Sequence, residues 1–181
     1  MDYIFITGLI GSLVLVTGAA WSEGKDVKHP MKSIKNWLFA IGGLIMLLYS
    51  ILGYLQGGAV FYIFLEGFVV VSSILMMLNA PDSVDIPVIS ICGLGLIIWS
   101  LFLLKDYTTV FFILGLSGVG LGYAFEMGTV RRSVALTIGS ALIALFSYLG
   151  SSWIFFWLNV FFAIFSVYYV YKGLASTKKR A

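Results

Sequence analysis

The chain has 181 residues, of which 61% are hydrophobic and only 10% charged, with a net charge of +3. A soluble domain carries about 25% charged residues, so this composition leaves no room for a soluble catalytic domain. The small positive excess points to the cytoplasmic face of a membrane rather than to nucleic acid, and the chain reads as an integral membrane protein surrounded by the lipid bilayer.

Seven apolar stretches, each near the ~20 residues needed to cross a bilayer, follow one another. Their near-continuous apolar character fits helices rather than the alternating pattern of barrel strands. The first, 3–21, begins Met1-Asp2-Tyr3 with no positive segment before it, which predicts a retained helix rather than a cleaved signal. A basic loop follows, with Lys25, Lys28, His29, Lys32 and Lys35. The second span is 37–55 and the third 59–79. The fourth, 86–104, holds the single cysteine, Cys92, read as a small packing residue. The remaining spans are 108–126, 132–149 and 153–172. Trp37 and Trp153 fall where an interfacial aromatic belt is expected.

Placement of basic residues sets the orientation. The loops joining spans 1–2, 3–4 and 5–6, with the C-terminus, hold Lys25, Lys28, Lys32, Lys35, Arg131, Arg132, Lys172, Lys178, Lys179 and Arg180, and the other side holds Lys105. This bias predicts an outside N-terminus and a cytoplasmic C-terminus in the plasma membrane. The basic tail can stop transfer or touch anionic headgroups.

The chain also repeats itself. Segment 2–22 aligns without gaps on 106–126, matching Asp2/Asp106, Tyr3/Tyr107, Gly11/Gly115, Gly18/Gly122 and Ala20/Ala124. Segment 40–53 aligns on 137–150, matching Ile41/Ile138, Gly42/Gly139, Leu48/Leu145, Ser50/Ser147, Leu52/Leu149 and Gly53/Gly150. In the third helices Phe64-Leu65-Glu66 aligns with Trp157-Leu158-Asn159. The expected architecture is all-α: a three-helix repeat over 1–80, a spacer helix over 81–105, a second repeat over 106–175 and a basic tail over 176–181. The odd spacer makes the two triplets parallel, a recognised transporter plan.

With this layout, and with the run Lys32-Ser33-Ile34-Lys35-Asn36-Trp37-Leu38-Phe39 opening the second helix, the chain resembles the SWEET, PQ-loop and PnuC-type (nicotinamide riboside) transporters. It departs from the first two in having no proline in its first or fifth helix; its prolines are Pro30, Pro81 and Pro87. The Asn- and Trp-rich helix ends of PnuC-type proteins are echoed by Asn159 and Tyr168-Tyr169-Val170-Tyr171. The resemblance implies a vitamin- or nucleoside-like solute.

Four residues are the candidate solute-binding set. Glu66 stands in the apolar run FYIFLEGFVVVSSILMML, where an ionisable group costs roughly 2.5 kcal/mol or more and marks a functional site by default. The alternative is a neutral Glu66 hydrogen-bonded between helices for structure alone. Asn159 occupies the equivalent depth in the second repeat. Ser73, with Ser72, extends a polar path or bonds its own backbone. Trp157 stacks a planar ring or simply packs. Glu126 is expected to pair with Arg131 or Arg132, and His29 to be a solvated loop residue. The glycines of helices 1 and 5 (Gly8, Gly11, Gly18, Gly115, Gly118, Gly120, Gly122) suit close packing or bending.

No nucleophile–base pair, metal-ligand cluster or nucleotide motif is present, so neither an enzyme nor a cofactor is expected. A retinal protein would need a buried lysine in the seventh helix, and Lys172 lies at that helix's cytoplasmic end. The expected function is a transporter of a small polar solute, working by alternating access between the two three-helix bundles, with homo-oligomerisation open. The competing reading is a non-transporting membrane scaffold or accessory subunit.

Overall fold

The computed structural model describes residues 3–21, 30–78, 80–104, 106–125 and 128–178. Among these are seven α-helices and no strand. They are α1 (Tyr3–Ala20), α2 (Ile34–Leu55), α3 (Phe61–Leu78), α4 (Asp82–Phe102), α5 (Thr108–Ala124), α6 (Val130–Leu149) and α7 (Trp153–Lys178), with a 3₁₀ turn at Pro30–Lys32. Six of them are long and apolar enough to cross a bilayer, and α5, with 17 residues, is the shorter one. The chain is a multi-pass helical membrane protein.

The helix ends differ from the sequence expectation in explicable ways. Helix α2 begins three residues early because Ser33 caps it, its hydroxyl accepting from the Asn36 amide at 3.4 Å. Thr129 does the same for α6, accepting from the Arg132 amide at 3.3 Å. The indole of Trp37 donates to the Met31 carbonyl at 2.9 Å and ties the 3₁₀ turn to α2. Helix α4 starts at Asp82, immediately after Pro81, and tolerates Pro87 near its start. Helix α7 runs six residues beyond the predicted span, so at 1.5 Å per residue its 26 residues reach about 39 Å, longer than a ~30 Å hydrocarbon core.

Before α5, Asp106 accepts from the amides of Thr108 (2.8 Å) and Thr109 (3.1 Å) and from the Thr108 hydroxyl. These bonds, that of the Thr108 hydroxyl foremost, hold its carboxyl below the usual aspartate range. The matching Asp2 lies outside the described residues, as do Lys25, Lys28, His29, Lys105, Glu126, Lys179 and Arg180. Arg132, expected to face Glu126, donates to the Phe125 carbonyl at 3.4 Å and lies 5.5 Å from the centre of the Tyr123 ring. A cation at the C-terminus of α5 suits the carbonyls exposed there.

The chain divides into two compact units, Met1–Ile89 and Ser90–Ala181, the division falling within α4. In the first unit α2 packs against both α1 and α3. Contact with α1 runs through small residues: a Cβ at Gly11 would come 3.0 Å from Met46, one at Gly18 3.4 Å from the Phe39 ring, and one at Gly42 2.8 Å from Leu15. Contact with α3 brings Gly43 against Val70, where an added Cβ would lie 3.3 Å from Cγ2.

In the second unit α6 packs against both α5 and α7. A Cβ at Gly115 would come 2.6 Å from Ile143, one at Gly122 2.5 Å from Leu136, and one at Gly139 2.6 Å from the Val119 nitrogen. Gly118 also lies against Gly139, its Cβ position 2.8 Å from that Cα. On the other side Gly173 of α7 meets Val130 of α6 at 2.7 Å.

These contacts fall on the positions that the sequence alignment pairs. Gly11 on Met46 becomes Gly115 on Ile143; Leu15 on Gly42 becomes Val119 on Gly139; Gly18 on Phe39 becomes Gly122 on Leu136. Continuing the third-helix alignment, Gly43 opposite Val70 becomes Ser140 opposite Ala163, which is the register that Val130 against Gly173 sets between α6 and α7. Met46 and Ile143 are both fully enclosed. The glycines therefore serve close approach, as expected, and the register of each helix pair follows from where they stand.

A consequence can be measured. Gly139→Ala sets a methyl against backbone atoms of α5 that cannot move aside, the Val119 nitrogen and, at 2.8 Å, the Gly115 oxygen. It should destabilise the protein by about 1–3 kcal/mol, the usual cost of overpacking. Gly95→Ala, with open space around it, should be neutral or mildly stabilising. Thermal unfolding of both variants in one detergent compares them.

Candidate functional site

Helix α3 is the most enclosed of the six candidate spans. Glu66 stands five residues into it and is 2% exposed. Tyr62, Glu66, Val70, Ser73 and Met77 recur at three- and four-residue spacing, so they share one side of the helix, and all are buried. Val70 is the residue that meets Gly43 of α2, so this is the side α3 turns toward α2. The two helices are joined by the short turn 56–60 and run antiparallel. With Gly43 level with Val70, Glu66 stands at the level of Leu47 and within one turn of Ser50.

The polar atoms here are unevenly satisfied. The Ser50 hydroxyl donates to its own helix, to the Met46 carbonyl at 2.8 Å. The Oε2 of Glu66 and the Oγ of Ser72 and of Ser73 are buried and have no hydrogen-bond partner in the structure. Serines of membrane helices commonly bond the carbonyl three or four residues back, as Ser12, Ser100 and Ser117 do here. Ser72 and Ser73 depart from that habit on the helix that carries Glu66. Glu66 and Ser73 lie about two turns apart, too far to satisfy each other.

In the second unit Asn159 is 6% exposed, and its side-chain amide donates to the Phe155 carbonyl at 2.9 Å. It shares the side of α7 that carries Phe155, Ser166 and Gly173, and Gly173 meets α6. By the register that contact sets, Asn159 stands at the level of Ala144 and within one turn of Ser147. Ser147 is fully buried and its Oγ has no partner. Each unit thus buries the same polar positions: Glu66, Ser50 and Ser73 in the first, Asn159, Ser147 and Ser166 in the second.

Trp157 lies elsewhere. It is 54% exposed and projects from a different side of α7 than Asn159. Its ring meets Phe156 at 5.0 Å and Phe161 at 6.3 Å between centroids, on the exposed surface of α7. Trp153 is likewise exposed, against Tyr148 and Phe156. Cys92 is half-buried and free.

Sequence reasoning named Glu66, Ser73 and Asn159 but passed over Ser166 and gave Ser147 no role. The signal was present: Ser166 aligns with Ser73 by the offset that aligns Glu66 with Asn159, and Ser50/Ser147 was itself an aligned pair. Among the described residues no group of three His, Cys, Asp or Glu side chains is placed to hold a metal ion. The chain matches no family model, no curated protein and no solved structure.

Because the Ser73 hydroxyl has no protein partner, Ser73→Ala removes a buried polar group without breaking a bond. It should leave the unfolding temperature unchanged or slightly raised, while Asn159→Ala, which loses a hydrogen bond and side-chain volume, should lower it. Parallel melts in detergent decide this; a large loss of stability from Ser73→Ala would mean its hydroxyl is bonded within the protein.

Proposed function

We propose that this chain is a plasma-membrane transporter of a small polar solute, working by alternating access of two three-helix repeats separated by the spacer helix α4. The observation that carries the reading is the buried, incompletely bonded polar set on α3, centred on Glu66. A structural carboxyl in a bilayer ordinarily has its hydrogen bonds made within the protein, and one left open in company with two open serines suits a group that meets a passing solute. The recurrence of the same polar positions and the same helix registers in both units supports the repeat plan. Parallel repeats are one recognised design of secondary transporters. With no nucleotide motif in the sequence, movement is driven by the solute gradient or by a coupled ion. The vitamin- or nucleoside-like class rests on the resemblance to SWEET, PQ-loop and PnuC-type proteins alone.

The repeat plan requires α1 and α5 to run in the same sense, with the N-terminus outside and the basic ends cytoplasmic. Single cysteines at Met31 and at Gln56, in a Cys92→Ser background, should then react with a membrane-impermeant reagent from opposite sides. Labelling of both from one side would remove the seven-span topology.

Transport itself is tested by uptake into liposomes from a panel of vitamins, nucleosides and sugars. Glu66→Gln should preserve the fold and change uptake or its pH dependence, and Glu66→Ala should weaken uptake further, by an expected tenfold or more. Equal uptake by wild type and both variants would remove Glu66 from the path.

A further inference from the structure

Among the described residues of the first unit, no lysine or arginine stands near the level of Glu66. Lys35 is in the first turn of α2, Arg131 and Arg132 are in the first turn of α6, and Lys172 and Lys178 are near the end of α7. Each of these residues stands in the first turn or the last two turns of its helix. Against α3 the first unit packs α2 and the 3₁₀ turn. Their charged and titratable groups are Lys32, Lys35, Tyr49 and Tyr54, and α3 itself contributes Tyr62. Lys35 stands twelve residues from the level of Glu66, about 18 Å along the helix, and Lys32 lies farther still. Tyr49 is turned to the side of α2 that carries Gly42 and faces α1. Tyr54 is about two turns away, by the 56–60 turn. What surrounds Glu66 on the α2 side is therefore Met46, Leu47 and Ser50, and the one hydroxyl among them is already committed to the Met46 carbonyl.

An ionised carboxylate in such a place must be compensated. Among the described residues of the first unit no lysine or arginine comes within reach, and a compensating charge from outside the protein fits the site. Two species can supply it: a proton, or the positive group of a bound solute. They compete for the same oxygen atoms. A protonated carboxyl has lost its charge and presents an O–H where the cation would sit, and a bound cation makes the proton unnecessary.

We infer that Glu66 is an exchange site at which a proton and a small organic cation exclude one another, so that the solute of this transporter carries a positive charge and its binding releases a proton. The inference rests on the transport reading for its physiological direction but not for the binding event. The balance is simple: one proton leaves the carboxyl as one positive charge arrives, and the site stays neutral throughout. The open hydroxyls of Ser72 and Ser73, deeper along α3, accept or donate hydrogen bonds to the solute's uncharged part. Anionic solutes are disfavoured because they leave the carboxyl its proton and add an unpaired charge.

The sign of the pH dependence follows by linkage. Where the empty site holds a proton, each unit of falling pH weakens cation binding by about tenfold, since one proton must be displaced. Neutral solutes, which displace none, bind independently of pH.

The test uses purified full-length protein in detergent, in weakly buffered solution with a pH-reporting dye. Choline, ethylammonium and agmatine serve as cationic probes, glucose and uridine as neutral ones, lactate as the anion. The expected result is proton release and thermal stabilisation by at least one cationic probe, weakening about tenfold per pH unit on acidification. Both effects should be absent in Glu66→Gln, while circular dichroism and the melting curve of that variant show an intact fold. Absence of proton release with every cationic probe overturns the inference, as does cation binding that survives Glu66→Gln. A companion uptake assay in liposomes separates the two readings. Proton-releasing binding without flux keeps the exchange site and removes transport. Flux of a neutral or anionic solute that is indifferent to Glu66→Gln keeps transport and removes the exchange site.

Discussion

The structure depends on the close approach of the first two helices in each unit. In a bilayer the apolar effect that joins helices in water is nearly absent, because lipid tails are as apolar as leucine. Association must come from dense packing, and density requires backbones that can approach. Gly11, Gly18 and Gly42 provide this in the first unit, and Gly115, Gly118, Gly122 and Gly139 in the second. Gly115, Gly118 and Gly139 have only backbone or the fully enclosed Ile143 opposite them. Their positions fix not only that the helices meet but in which register, since a slip of one residue brings a side chain where only hydrogen fits.

From that register the polar positions follow. Helix α2 offers α1 one side, through Gly42, and α3 the adjacent side, through Gly43. Once those two glycines are engaged, the level of Glu66 against α2 is set without further freedom. The register set by Val130 and Gly173 places Asn159 at the level of Ala144 and within one turn of Ser147. A carboxyl and a carboxamide are near-isosteric and differ by one charge, so the two units carry equivalent polar positions with different electrostatic demands. Asn159 satisfies its amide from its own helix; a carboxylate, which only accepts, cannot bond backbone carbonyls in that way.

Much of the fold was legible in the sequence because bilayer physics writes in long, coarse strokes. Apolar stretches of about 20 residues mark helices with little ambiguity, and two of the helix limits missed are governed by caps: Ser33 and Thr129 lengthen α2 and α6 by satisfying amides that hydropathy does not register. The glycine pairs Gly11/Gly115, Gly18/Gly122 and Gly42/Gly139 were visible as a repeat, and their packing role followed from residue size. What periodicity did not distinguish was which serines bond their own backbone. Ser50 and Ser147 are a matched pair, yet one donates to Met46 and the other has an open Oγ. Trp157 shows a related limit. Its two-residue separation from Asn159 puts it on another side of the helix, so nearness in sequence to a polar residue did not bring it into the same environment.

The exposed surface completes the argument about what the buried polar groups are for. Ile91, Leu94, Ile98, Trp99 and Phe102 of α4 are all exposed and apolar, as are Trp153, Trp157, Phe161 and Ile164 of α7. An exposed apolar surface of this kind asks nothing polar of the residues behind it. The interior of each unit has every means to be apolar too, since leucine or valine at the position of Glu66 would pack as well and avoid the cost of an ionisable group in hydrocarbon. Retaining a carboxyl there, with Ser72 and Ser73 open on the same helix, therefore works against stability. A carboxyl that packing alone does not favour, with no lysine or arginine near its level among the described residues of the first unit, is the physical basis of the proposed exchange site.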